Sequence, residues 1–213
     1  MVMAALIVTG IFIGTDFSDG THRNKLTTGG SRGSLYLSNQ VVGLFVTTVY
    51  YLVFTITGYI TLNSITTMND AVRKQLPLAL LTFYLALMSL MSIYIAIAHR
   101  LKTRTPAIMG GIFVWFLSVN FGGALYSLMN QTKYYMDGGK RVLNPNYIDG
   151  PLRKILTCIM YVEPGSHMEI VARCMDPDRV VHFNLNTMCV CSVAVILVAT
   201  FIGSIVFIRE DLK

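Results

Sequence analysis

Between residues 130 and 183 the chain collects its most versatile side chains, Cys158, Glu163, His167, Glu169, Cys174 and Asp176. A thiol with a His and an acid nearby is the inventory of nucleophilic catalysis, in which the His activates the nucleophile. Nothing in this spacing forces the groups into one pocket, and the surface of a small polar region carries the same inventory, so the expectation is no enzyme. Cys158 and Cys174 enclose 15 residues. If their loop faces an oxidising compartment they are a candidate disulfide, worth roughly 3 kcal/mol in chain entropy.

Other chemistry finds less support. Cys189 and Cys191 have no second pair or His at ligand spacing, so they read as small buried hydrophobes rather than as a zinc site. Haem ligation would need facing axial ligands inside a bundle. His22, His99, His167 and His182 all lie outside the apolar interiors described below. The run Gly29-Gly30-Ser31-Arg32-Gly33 lacks the Lys-Ser/Thr ending and the preceding strand of a phosphate loop. No cofactor and no metal are expected.

The elements that must position these groups are dominated by four stretches, 41–62, 77–98, 107–129 and 184–208, which contain no Asp, Glu, Lys, Arg or His. Each is about the length a helix needs to cross a hydrocarbon layer, roughly 20 residues. Of the 213 residues 54% are hydrophobic and 13% charged, well below the roughly 25% charged of soluble chains. The fold class expected is an all-α integral membrane protein. It would be a four-transmembrane-helix bundle with a small extramembrane α+β cap and a short N-terminal segment as a candidate fifth element.

Residues 1–15 are apolar but short for a span, and read as interfacial, packed, or a short crossing. Gly, Ser and Thr between 16 and 40 read as a flexible basic linker. The strand-prone residues of 41–62 must still form a helix, because lipid leaves no other partner for the backbone. Gly58 there lets another helix approach. The eight-residue connector 99–106 folds the second and third spans into an antiparallel hairpin. Along 107–129, Ala107, Gly111, Ser118 and Gly122 form a small-residue flank for close helix contact. Gly111, Trp115, Ser118 and Gly122 are the expected helix-packing or partner interface, joined by Asn120 as a hydrogen-bonding group toward a neighbouring helix.

Residues 130–183 read as the extramembrane domain, and 209–213 as a tail. An Asp137-Gly138 turn between apolar flanks predicts a hairpin over 133–143. Leu152–Val162 suggests a short helix, and His167–Cys174 a strand. The connector 99–106 carries three basic residues and no acidic one, so it, the 16–40 linker and the 209–213 tail are expected on the cytoplasmic side and 130–183 on the extracellular or lumenal side.

No charge lies inside the four spans, which argues against proton pumping or voltage sensing by those helices. The layout invites comparison with tetraspanins, but 130–183 has no Cys-Cys-Gly motif and no family is claimed. The net charge of +6 is scattered over the connectors and excludes a nucleic-acid patch. The function expected is a non-catalytic multi-spanning subunit that scaffolds or regulates a larger membrane assembly. Channel or transporter accessory, respiratory-type supernumerary subunit and viral envelope protein all fit that description. Its partners would be the lipid bilayer and other membrane subunits or a second copy. The alternative is a homo-oligomeric pore lined by Thr and Asn side chains.

Overall fold

The computed structural model describes residues 1–65, 70–137, 140–173 and 183–209, with side chains at all of these except 22, 62–65 and 70–73. The elements in order are α1 (Val2–Ser18), α2 (Thr21–Thr27), α3 (Arg32–Ile65), α4 (Asp70–Leu101), α5 (Arg104–Met129), β1 (Tyr134–Asp137), β2 (Lys140–Leu143), α6 (Pro151–Val162), α7 (Pro164–Ala172) and α8 (Leu185–Arg209). Four of them, α3, α4, α5 and α8, are long and apolar enough to cross a membrane.

α4 is the axis of the bundle. Of its most apolar stretch 56% is buried, against 11%, 22% and 17% for α3, α5 and α8. The other three therefore turn large apolar side chains outward, among them Phe45 and Ile60 on α3, Phe113 and Phe116 on α5, and Leu197 and Phe201 on α8. In water such a surface would be an association hazard, whereas it suits a hydrocarbon solvent.

Polar contacts fix the registers. α3 runs antiparallel to α4: Gln40 Nε2 donates to Ser92 Oγ at 2.7 Å, Thr48 Oγ1 lies 3.1 Å from Tyr84 Oη, and Tyr51 Oη donates to the Leu80 carbonyl at 3.0 Å. α8 runs parallel to α4, with Cys189 Sγ 3.3 Å from Thr82 Oγ1 and Gly203 against Ala96. α1 runs antiparallel to α5 in four-residue steps, Leu6 at Gly111, Gly10 at Ala107 and Gly14 at Arg104. The turn from α4 to α5 is closed by Lys102 at φ 50°, a left-handed cap position usually held by Gly.

Gly203 is one of the places where a missing side chain sets the packing. A Cβ there would lie 2.0 Å from the Tyr36 hydroxyl and 2.9 Å from the Ala96 Cβ. Tyr36 is fully buried and its hydroxyl has no hydrogen-bond partner among the described residues. Gly203→Ala is thus expected to cost about 1–3 kcal/mol by overpacking. Tyr36→Phe, which deletes an unpaired buried hydroxyl, should be neutral or stabilising. In the double variant the two changes should couple favourably by about 1 kcal/mol. Thermal unfolding of the four proteins in one detergent reads the cycle, and strict additivity would refute the contact.

At one end of the bundle lie α2, the start of α3, the α4–α5 turn and the end of α8, tied by Arg32 Nη1 donating to the Ile208 carbonyl at 3.1 Å and Lys25 pairing with Asp16 at 3.1 Å. The segments expected on one side, 16–40, 99–106 and Arg209, therefore share this end. The opposite end carries the β1–β2 hairpin, paired Tyr134 to Leu143 through Asp137 to Lys140. Beside it Lys133 and Asp149 pair at 2.8 Å, and this contact raises the lysine's pKa and lowers the aspartate's.

Three expectations change. Residues 16–40 are largely helical: Gly20 and Gly29, at φ 69° and 99°, confine the irregular backbone to two short turns, and Leu35, Tyr36, Asn39 and Gln40 extend α3 by burying one face. The segment expected as a strand, from His167, is helix α7, capped by Glu163 with Pro164 at its first position. Finally, 151–172, expected as part of a small cap on the bundle, folds back along α5.

Candidate functional site

The fold-back can be traced by its contacts. Arg153, near the start of α6, donates through Nη2 to the Met129 carbonyl at the end of α5, 3.0 Å away. Ten residues later Glu163 Oε1 accepts from Ser118 Oγ at 2.6 Å. Ser118 lies at the middle of α5, about 16 Å from its Met129 end at 1.5 Å per residue. α7 then climbs back: Gly165 lies against Ser118 and Gly122, and Ile170 joins Leu125, Tyr126, Met129 and Met160 in one cluster. α6 and α7 are a helical hairpin folded back along α5, whose tip, Glu163-Pro164-Gly165, reaches half-way along the bundle. Pro164 and Gly165 at this tip are buried by the surrounding helices.

Close approach at the tip depends on two facing glycines. A Cβ on Gly122 would stand 2.3 Å from the Gly165 carbonyl carbon, and one on Gly165 would stand 2.1 Å from the Ser118 carbonyl oxygen. The small-residue flank of α5 is thus shared by two elements of this chain, Ala107 and Gly111 receiving α1, Ser118 and Gly122 receiving α7.

Glu163 N-caps α7 with its own side chain. Oε1 accepts from Gly165 N at 2.9 Å besides Ser118, while Oε2 accepts from Ser166 N and, at 2.8 Å, from Ser166 Oγ. Four neutral donors thus converge on the two carboxylate oxygens at the start of α7. One turn on, His167 is fully buried. Its Nε2 lies 2.9 Å from the Tyr161 carbonyl and its Nδ1 2.9 Å from Ser192 Oγ on α8. A carbonyl only accepts, so Nε2 carries the proton and Nδ1 accepts from the serine, the arrangement of a neutral imidazole. The hairpin is in this way stitched to α5 through Glu163 and to α8 through His167.

A second buried polar set lies at the basic end. His99, 2% exposed, belongs to α4 rather than to a connector. Its Nδ1 bonds the Ile95 carbonyl at 2.8 Å and its Nε2 meets Asn39 Nδ2 at 3.1 Å, inside a ring of Phe17, Tyr36 and Phe207.

The residues singled out from sequence fall unevenly on this frame. Gly111 faces Tyr94 and Leu6, Gly122 faces Gly165, and Ser118 bonds Glu163. Trp115 is half-buried at the edge of the main core. Asn120 is exposed and donates to the carbonyl of Phe116 on its own helix at 2.7 Å. Cys158 is a free, exposed thiol on α6, and Cys174, its candidate disulfide partner, lies outside the described residues. Both nitrogens of His167 engage Ser192 and Tyr161, and Glu169 pairs with Arg173 at 2.6 Å, so among the described residues neither His167 nor Glu169 is hydrogen-bonded to Cys158. No three His, Cys, Asp or Glu gather at metal-holding distance among the described residues.

Ser166 and Ser192 were not foreseen, nor were Asn39 and Gln40. The available signal was Glu163-Pro164-Gly165-Ser166, an acidic cap followed by Pro at a helix start, within an otherwise apolar run. Comparisons with protein-family models, curated proteins and solved structures return no match to this chain.

Proposed function

We infer that the chain is a non-catalytic, multi-pass membrane subunit whose role is to pack against another membrane-embedded chain through the outer half of α3. The observation that carries this is the seat around Gly58. A side chain there would meet nothing within 4 Å. Around it Phe54, Ile56, Tyr59 and Ile60 are exposed. With Leu76, Leu80 and Phe83 of α4 they border a groove of about 400 Å3. A glycine facing open space between bulky apolar neighbours lets a helix backbone come close, which is how helices associate where lipid removes the hydrophobic drive. The basic end, with Arg100, Arg104 and Arg209 exposed and Arg32 half-buried, would lie in the cytoplasm and the opposite end outside or in a lumen.

The competing reading, a homo-oligomeric pore, would need free hydroxyls and amides along one outer stripe. Thr47, Thr48, Thr57 and Thr61 donate instead to carbonyls one turn back on α3, and Asn120 does the same on α5. Purification in mild detergent followed by intact-particle mass separates the two. A foreign chain bound to the 23.7 kDa protein, and lost on Gly58→Phe, is the expected result. A multiple of this chain alone, unaffected by that substitution, would favour the pore.

A further inference from the structure

All eight strand residues of the β1–β2 hairpin are exposed. Two strands alone are marginally stable in water and need a surface to lie on. The register sorts their side chains into two faces, because directly opposed residues share a face and successive residues alternate. Tyr134, Met136, Arg141 and Leu143 make one face, and Tyr135, Asp137, Lys140 and Val142 the other. The first is the more apolar. Met136 is 71% and Leu143 58% exposed, and the only charge on this face, Arg141, sits over the Tyr134 ring, 4.5 Å from its centre.

The hairpin is also held where a bilayer surface would lie. Tyr134 is five residues past Met129, the end of α5, a reach of at most roughly 17 Å. On the return, Arg153 donates to the carbonyls of Ile148 and Met129 at 3.2 and 3.0 Å, and Asn144 Nδ2 donates to the Thr132 carbonyl at 3.0 Å. Both legs are thereby tied to the end of a helix long and apolar enough to cross a membrane. Beside them Leu152 and Ile155, near the start of α6, are exposed as well. Segment 130–155 carries five Lys and Arg against two Asp, a surplus of the sign that lipid phosphates attract. Tyrosine rings suit the headgroup level, and a guanidinium matches phosphate through paired donors. We propose that the face of Tyr134, Met136, Arg141 and Leu143 lies on the bilayer, Met136 and Leu143 at the acyl boundary and Arg141 on a phospholipid phosphate.

This proposal rests on the reading of the chain as a membrane subunit, and one experiment separates the two. All four native cysteines are changed to serine, and single reporters are placed by Met136→Cys, Val142→Cys and Leu197→Cys, each at an exposed position. The thiol is labelled with bimane. Nanodiscs of phosphatidylcholine, holding one protein each, carry a nitroxide lipid whose label lies near the top of the acyl chain. Bimane at Leu197, on the outward side of α8, reports that the bundle is in the bilayer. Quenching at Met136 should exceed that at Val142, on the opposite face, several-fold. Arg141→Glu, which sets a carboxylate against lipid phosphate, should bring the Met136 signal down to that of Val142, whereas Arg141→Lys should keep most of it. Loss of quenching at Leu197 would overturn the membrane reading and this proposal together. With Leu197 quenched, an unquenched Met136, equal quenching of the two faces, or indifference to Arg141→Glu would overturn the proposal alone. An unquenched Met136 would leave this face to a protein partner instead.

Discussion

Gly165→Val is expected to push the α6–α7 hairpin out of the bundle, lowering stability by about 3 kcal/mol or more, the upper range of overpacking. The contact it breaks is backbone on backbone. The new Cβ would fall 2.1 Å from the Ser118 carbonyl oxygen and 2.5 Å from its carbon, and neither can rotate away as a side-chain tip would. Gly122→Ala meets the same wall from the other side, with Gly165 and Ser166 backbone atoms at 2.3 and 2.4 Å. Gly123, its neighbour, has nothing within 4 Å of its would-be Cβ. Gly123→Ala should be neutral or gain up to about 1 kcal/mol from helix propensity. In detergent, the thermal midpoint of Gly165→Val should therefore fall by roughly 6–12 °C at 2–4 °C per kcal/mol, with that of Gly123→Ala unchanged or higher. Similar behaviour of the two adjacent α5 glycines on substitution by alanine would mean that α7 does not sit where Gly122 faces it.

His167→Ala should cost about 3 kcal/mol, because three losses coincide. The substitution opens a cavity in a fully enclosed site and leaves the Ser192 hydroxyl and the Tyr161 carbonyl without their partner. His167→Gln should recover a good part, since an amide can donate to the carbonyl and accept from the serine in one side chain. His167→Phe, close in volume but without polar atoms, should not. This ordering separates a hydrogen-bonding role from a space-filling one. Equal losses for Gln and Phe, read by thermal unfolding, would contradict the bridge between α7 and α8.

The four long helices were legible in the sequence because length and composition alone mark them: a charge-free run of that length has one stable backbone solution in a hydrocarbon solvent. The hairpin of β1 and β2 was legible because Asp137-Gly138 is local turn chemistry. What escaped was set by tertiary partners. Residues 32–40 look like a polar linker, yet Asn39 and Gln40 are carried into the core by partners on α4, His99 and Ser92, that lie 60 and 52 positions away. Residues 151–172 look like surface because they hold Arg153, Glu163, His167 and Glu169. Their polar atoms are instead satisfied by groups distant in sequence, Ser118 and Ser192 among them. The flank Ala107, Gly111, Ser118, Gly122 was readable as a contact surface, but not which elements would fill it. An apolar helix pattern states that a face is packed and says nothing of by whom.

Those distant partners impose an order on biogenesis. Helices of sufficient length can leave the ribosome and enter the bilayer one by one. The pair α6–α7 cannot, since neither is long enough to be held there by greasiness alone and α6 carries Arg153 and Lys154. The serine that receives His167 belongs to α8, which follows α6 and α7 in the chain. The contact of the tip with Ser118 on α5 can therefore form before α8 has been made, whereas the bond from His167 to Ser192 must wait for it, so the hairpin is clamped from its two sides at different times.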